Sequence, residues 1–161
     1  MKTTWRTLWQ MNDIVVLRDD VEVDRLPGER IARVFLVYRG QGDTPGDIAQ
    51  SIVELDGDGG YAVLGPLTGF AGRVNFERQS FWHERQCVHW IAARLAVLPW
   101  RFRLQAWRAD ASARAYRRVA RAELAASIGR WPIERPQTWE ERKRCRLERS
   151  RPFGHAHGAH A

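Results

Sequence analysis

A chain of 161 residues with 44% hydrophobic residues can bury one core without cross-links, which argues against wholesale disorder and for one domain, with or without an appendage. Its cysteines, Cys87 and Cys145, lie far apart, and no apolar run is long enough for a signal peptide or a bilayer span; the expectation is a cytoplasmic protein with reduced thiols. The net charge of +7 is lopsided: residues 1–98 hold 11 Lys+Arg against 13 Asp+Glu, and residues 99–151 hold 15 against 6, which points to a polyanionic partner for the second part.

The first 79 residues read as strands and turns. DIVVLRD (13–19) and RIARVFLVYRG (30–40) are rich in aliphatic and aromatic residues and are bounded by polar or Gly/Pro clusters, with RLPGER as the turn between them. GQGDTPGD (40–47) is a loop; Pro45 stands where the third glycine of a G-x-G-x-x-G dinucleotide fingerprint would fall, and no strand–loop–helix context supports one. SIVELDGDGGYAVLG (51–65) predicts a hairpin. Its DGDGG turn fails as a calcium loop, because the twelfth position from Asp56 is Leu67 rather than Glu. GRVNFERQ (72–79) alternates, predicting a short strand.

FWHERQCVHW (81–90) concentrates His83, Glu84, Cys87 and His89. Ser80 as a cap and Pro99 as a stop predict a helix over 80–98. At about 100° per residue, Phe81, Cys87, Val88, Ile91 and Leu95 then share one apolar arc, while Trp82 and His89 fall on the opposite side. HERQC has the outline of the zinc-hydrolase helix H-E-x-x-H, with Glu84 as base, but Cys87 replaces the second His and no third ligand is evident. A Cys87–His83 nucleophile pair is one helical turn apart and lacks an orienting group. The favoured reading is a helix packed over the sheet with an inert thiol, and neither a metal nor a cofactor is expected.

Past Pro99 the positive charge takes over. WRFRLQAWR (100–108) alternates, predicting a strand with Arg101, Arg103 and Trp107 on one face. Asp110 or Ser112 caps a predicted helix ending near Gly129, on which Arg114, Arg117, Arg118 and Arg121 form a stripe. Thr138, followed by Glu140 and Glu141, starts a third helix through about Ser150, carrying Arg142, Lys143 and Arg144. GHAHGAH, with His155, His157 and His160, reads as a flexible tail over 152–161.

The expected fold is α+β: an N-terminal antiparallel, barrel-like sheet closed by a helix (1–98), then a basic strand-helix-helix extension of the same domain (99–151). Basic residues interleaved with tryptophan suit backbone tracking and base stacking on single-stranded nucleic acid or RNA. The expected function is therefore a non-enzymatic nucleic-acid-binding protein, an accessory subunit of a nucleoprotein complex. Arg101, Arg103, Arg114, Arg117, Arg118, Arg121, Arg142, Lys143 and Arg144 would meet phosphates, and Trp107 would stack on a base. The alternative is an assembly or adaptor subunit docking on other proteins through Trp131 and Trp139. A metal- or thiol-dependent enzyme ranks third. No RNP, KH, zinc-finger or helix-turn-helix pattern is recognisable, so the nucleic-acid signal is electrostatic alone.

Overall fold

The computed structural model describes residues 3–42, 45–65, 84–99 and 115–150. Within them the chain is mixed α+β, with a three-stranded sheet, a five-stranded sheet and two helices. Strands β1 (Trp5–Gln10), β2 (Asp13–Arg18) and β3 (Val21–Leu26) form an antiparallel meander in that order. Asp19 (φ 51°) and Asp20 (φ 64°) link β2 to β3. Two consecutive left-handed residues suit the twist of a two-residue hairpin, and Asp is among the side chains that tolerate that region. Of the expected turn RLPGER, Arg25 and Leu26 end β3, and the chain turns through Pro27 and a short 3-10 segment, Gly28–Arg30.

The larger sheet has the order β7-β4-β5-β6-β8. Strand β4 (Ile31–Tyr38) pairs antiparallel with β5 (Ile48–Leu55), which turns through Gly57–Gly59 into β6 (Tyr61–Leu64), the expected hairpin. Strand β7 (Val88–Ala92) runs parallel to β4, and β8 (Tyr116–Val119) closes the other end against β6. Among the described residues the sheet is open, with β7 and β8 at its ends, so the expected barrel closure is corrected.

Side chains alternate across this sheet into two cores. Val34, Leu36, Val53, Leu64, Val88 and Trp90 meet Ile14 and Leu26 of the small sheet. Phe35, Val37, Ile52, Val63 and Ile91 face the other way, toward Leu124, Ile128 and Trp131. Leu124 and Ile128 lie four residues apart on α1 (Arg121–Arg130), the spacing that puts both on one helix face. Helix α2 (Trp139–Ser150) follows, with reciprocal hydrogen bonds at its start: Thr138 N–H donates to Glu141 Oε2, and Glu141 N–H donates to Thr138 Oγ1. This is the capping box that TWEE foreshadows.

Two expected helices are corrected. In the predicted helix 80–98, the described part makes one turn at Glu84–Arg85, breaks at Gln86 (φ 47°) and continues as strand β7. A strand covered on both faces is apolar on both, so VHWIA mimics a buried helix segment. Of the predicted helix 110–129, residues 116–119 form β8 and the helix begins only at Arg121. The expected strands 72–79 and 100–108, the site residues Arg101, Arg103, Trp107 and Arg114, and the tail 152–161 lie outside the described residues. Strand β8 and helix α1, although beyond residue 99, share the sheet and core of the N-terminal part.

Gly60 shows how tightly β8 is held. Its φ is 64°, and a Cβ there would sit 2.4 Å from the carbonyl oxygen of Val119. Gly57 has the same φ with nothing within 4 Å of such a Cβ. Gly60→Ala is therefore expected to cost about 3 kcal/mol, from left-handed strain plus a backbone clash. Gly57→Ala should cost about 1 kcal/mol, from strain alone. Urea unfolding of the two variants beside the parent chain measures the difference.

Candidate functional site: the basic segment

Helix periodicity predicts one stripe of arginines; strand geometry separates them. Arg117 and Arg118 are neighbours on β8 and therefore leave opposite faces of the sheet. Arg118 reaches the small sheet, where its Nε donates to Asp24 Oδ2 at 2.7 Å, beside the Tyr116 hydroxyl, which donates to the same carboxylate. Arg117 lies on the opposite side, partly buried, and burial pushes its guanidinium down against a partial offset from the charge of Glu123. Arg121, the first residue of α1, donates to the carbonyls of Leu55 (2.5 Å) and Gly57 (3.1 Å) and lies 3.6 Å from Glu54. Glu54 also accepts from two guanidinium nitrogens of its cross-strand partner Arg33, Nε and Nη2, each at 2.8 Å.

Arg142 is the most enclosed of these cations, 7% exposed. Its guanidinium lies 4.2 Å from the Tyr38 ring centroid and 4.7 Å from that of Trp90. It donates to the carbonyls of Gly42 (2.9 Å) and Gln41 (3.3 Å) and to Glu134 Oε1 (3.0 Å). The Tyr38 hydroxyl donates to the other oxygen of Glu134 at 2.5 Å. Trp90 Nε1–H donates to the Gln137 carbonyl, and the N–H groups of Glu134 and Gln137 donate to the carbonyls of Trp90 and Val88. The 134–137 segment thereby covers the outer edge of β7, which would otherwise offer unpaired backbone groups.

Arg118, Arg121 and Arg142 are thus engaged inside the fold, each joining the basic segment to earlier strands or loops. The remaining expected contacts on α2, Lys143 and Arg144, are exposed, as are Arg130 and Arg135, which sequence reasoning passed over. None of these four has a carboxylate partner among the described residues. Arg135 and Arg144 line one groove of about 460 Å3, with Gln86, Val88, Pro136 and Gln137. The prolines at 132 and 136 were the available signal: they fall within an extended stretch, PIERPQT (132–138), that presents Arg135 and Gln137 beside β7.

Trp131, expected at a docking surface, is 8% exposed and belongs to the core, its Nε1–H donating to the Val97 carbonyl. Trp139 opens α2, and its side chain lies outside the described residues, as does His83. Cys87 is 4% exposed, and burial, only partly offset by nearby Arg85, pushes its thiol up to about 11, so it is protonated at neutral pH and a poor nucleophile. His89 packs toward Phe35, with ring centroids 5.8 Å apart, instead of facing solvent with Trp82 as a helix would have placed it. Burial and the charge of Arg33 push its pKa down.

No protein-family model matches this chain, and neither a curated protein nor a solved structure matches it significantly.

Burial raises the Asp24 and Glu54 carboxyls, but Arg118, the Tyr116 hydroxyl and the Arg25 N–H at Asp24, and Arg33, Arg121 and Tyr61 at Glu54, together more than offset it, so both lie below their ordinary values. A carboxylate depressed in the fold supplies stability above its unfolded value and loses it as pH falls through the folded one. Stability should therefore decline below about pH 4, and Asp24→Asn with Glu54→Gln should lower it at neutral pH while flattening the acid decline, read as urea midpoints against pH. For the Arg142 cluster, Arg142→Ala should cost about 3 kcal/mol by stranding Glu134 and two carbonyls. Arg142→Lys, which cannot fork, should recover less than half of that loss in the same assay.

Proposed function

We propose that this protein is a non-enzymatic nucleic-acid-binding protein, an accessory subunit of a nucleoprotein complex that contacts single-stranded nucleic acid or RNA. The observation that supports this reading most is the set of exposed cations Arg130, Arg135, Lys143 and Arg144, without carboxylate partners among the described residues. Like charges left uncompensated on one segment repel, and phosphates relieve that repulsion while releasing condensed counterions. The contacts are accordingly moved from the helical stripe of the sequence reading to the surface around α2. Arg118, Arg121 and Arg142 are assigned to holding the fold, because their charges already face Asp24, Glu54 and Glu134. Arg101, Arg103, Trp107 and Arg114 remain proposed as an extension of the binding track.

A second reading, docking on another protein, draws on strand β3. It is an outer strand of the small sheet, and Val21 and Val23 are 64% and 49% exposed. Exposed apolar edge strands are surfaces on which other chains pair.

Fluorescence anisotropy against single-stranded RNA, single-stranded DNA and duplex oligonucleotides, from roughly 50 to 200 mM salt, separates the two. Affinity for a single strand should fall steeply with salt. Combining Arg135→Ala, Lys143→Ala and Arg144→Ala should lower the slope of log affinity against log salt by about 2. A salt-independent affinity, or none at low salt, sinks the nucleic-acid reading. A protein partner retained by the parent chain and lost in Val21→Lys, with no oligonucleotide binding by the parent chain, supports the docking one.

A further inference from the structure

The groove between strand β7 and the start of α2 carries more chemistry than an electrostatic track requires. Its volume, about 460 Å3, falls among small-molecule sites, which run from about 300 to 1,000 Å3. Arg135 and Arg144 supply two guanidiniums, the fork that suits a phosphate. Gln86 and Gln137 supply two side-chain amides, each with donors and an acceptor. Neither amide has a hydrogen-bond partner among the described residues, whereas the main chain of Gln137 is already engaged, its N–H with Val88 and its carbonyl with Trp90. Gln86 stands at the rim in the left-handed region, φ 47°, where a residue other than glycine is uncommon. Val88 and Pro136 add apolar wall. Glu141 also lines the groove, its carboxylate accepting from Thr138 N–H, and its charge disfavours a second anion there. Cations, free amides, apolar wall and one carboxylate together match a ligand with an anionic end and a neutral, planar, hydrogen-bonding body.

We propose that this groove holds one nucleotide of the bound strand, its base edge read by Gln86 and Gln137 and its phosphate seated between Arg135 and Arg144. The proposal rests on the nucleic-acid reading above and adds a discrete seat to it. Amides that donate and accept are the side-chain type that pairs bidentately with base edges, and unstacked bases of a single strand are free to enter such a seat.

Cys145 lines the same groove and is half-buried, while Cys87 is buried and protonated, so the chain carries its own occupancy probe and an internal control. The full-length protein is alkylated with iodoacetamide, with and without a saturating single-stranded RNA whose binding is followed in parallel by anisotropy. Modification of each cysteine is read by peptide mass spectrometry. The expected result is a slowing of Cys145 alkylation by about tenfold or more when RNA is bound, with Cys87 slow throughout. In Gln86→Ala/Gln137→Ala, protection should be lost while the salt-dependent affinity remains. RNA that binds and leaves Cys145 as reactive as before overturns the seat and leaves the nucleic-acid reading standing. Protection that survives the double substitution overturns the amide contacts. Absence of RNA binding at low salt overturns the nucleic-acid reading itself. Circular dichroism of the double variant, expected to match the parent chain, separates loss of the seat from loss of the fold.

Discussion

Strand β4 is paired on both edges and covered on both faces, and the rest of the molecule follows from that enclosure. Val34 and Leu36 need one cover, and Phe35 and Val37 need another. The β1–β3 meander supplies the first and α1 with Trp131 the second. Each cover brings its own apolar face, and no described residue of α2 belongs to either core. Helix α2 is correspondingly polar: in KRCRLERS only Cys145 and Leu147 are apolar, and Leu147 is exposed. It is held by its capping box and by the guanidinium of Arg142 between Tyr38 and Trp90. A cation buried against two rings, two carbonyls and a carboxylate does for α2 what an apolar stripe does for α1.

The same enclosure explains which elements were legible. Strands β2 and β4 and the β5–β6 hairpin carry apolar runs between turn residues, and α2 carries a capping box; both signals are local. Strand β3, VEVDRL, is mostly polar because it is an outer strand with an exposed face, and β1, WRTLWQ, mixes polar and apolar residues on both faces, so neither shows a clean alternation. Strand β7 is apolar on both faces and pairs with β4 from fifty residues away in parallel, which no local pattern announces. In β8 the two arginines were assigned to one helical face although they leave opposite faces of a sheet. The four residues Tyr116–Val119 are too few for a period of 2 to be told from one of 3.6, and the strand is defined by its partner β6.

The candidate site was legible only in its chemical type. Composition located the positive charge in the second part of the chain, but could not distinguish a cation facing solvent from one facing Asp24, Glu54 or Glu134. Those acids are up to ninety-odd residues away in sequence, as in the Arg118–Asp24 pair, so the pairing belongs to the tertiary fold alone. Trp131 makes the same point for aromatics: a residue type that anchors interfaces anchors this core instead.

Charge pairing inside the fold also bears on how a polyanion would be met. A guanidinium that already faces a carboxylate has little counterion to release and adds little to salt-dependent binding, even when it is 41% exposed as Arg118 is. The basic excess of residues 99–151 is therefore larger on paper than at the surface, because Arg118 and Arg121 compensate acids of the N-terminal strands. Among the described residues from 115 on, exposed cations without a carboxylate partner include Arg130 at the end of α1 and Arg135, Lys143 and Arg144 in and just before α2, an element anchored through Arg142 rather than through an apolar face. Under the proposed function, stability and binding then divide the arginines between them. Those that bridge segments hold α1, β8 and α2 in place, and those around α2 are left with their hydrogen-bonding capacity directed to solvent. Removing a bridging arginine would disturb binding only by disturbing the fold, whereas removing an exposed one would leave the fold intact, so stability and affinity measured on the same variants should separate the two groups.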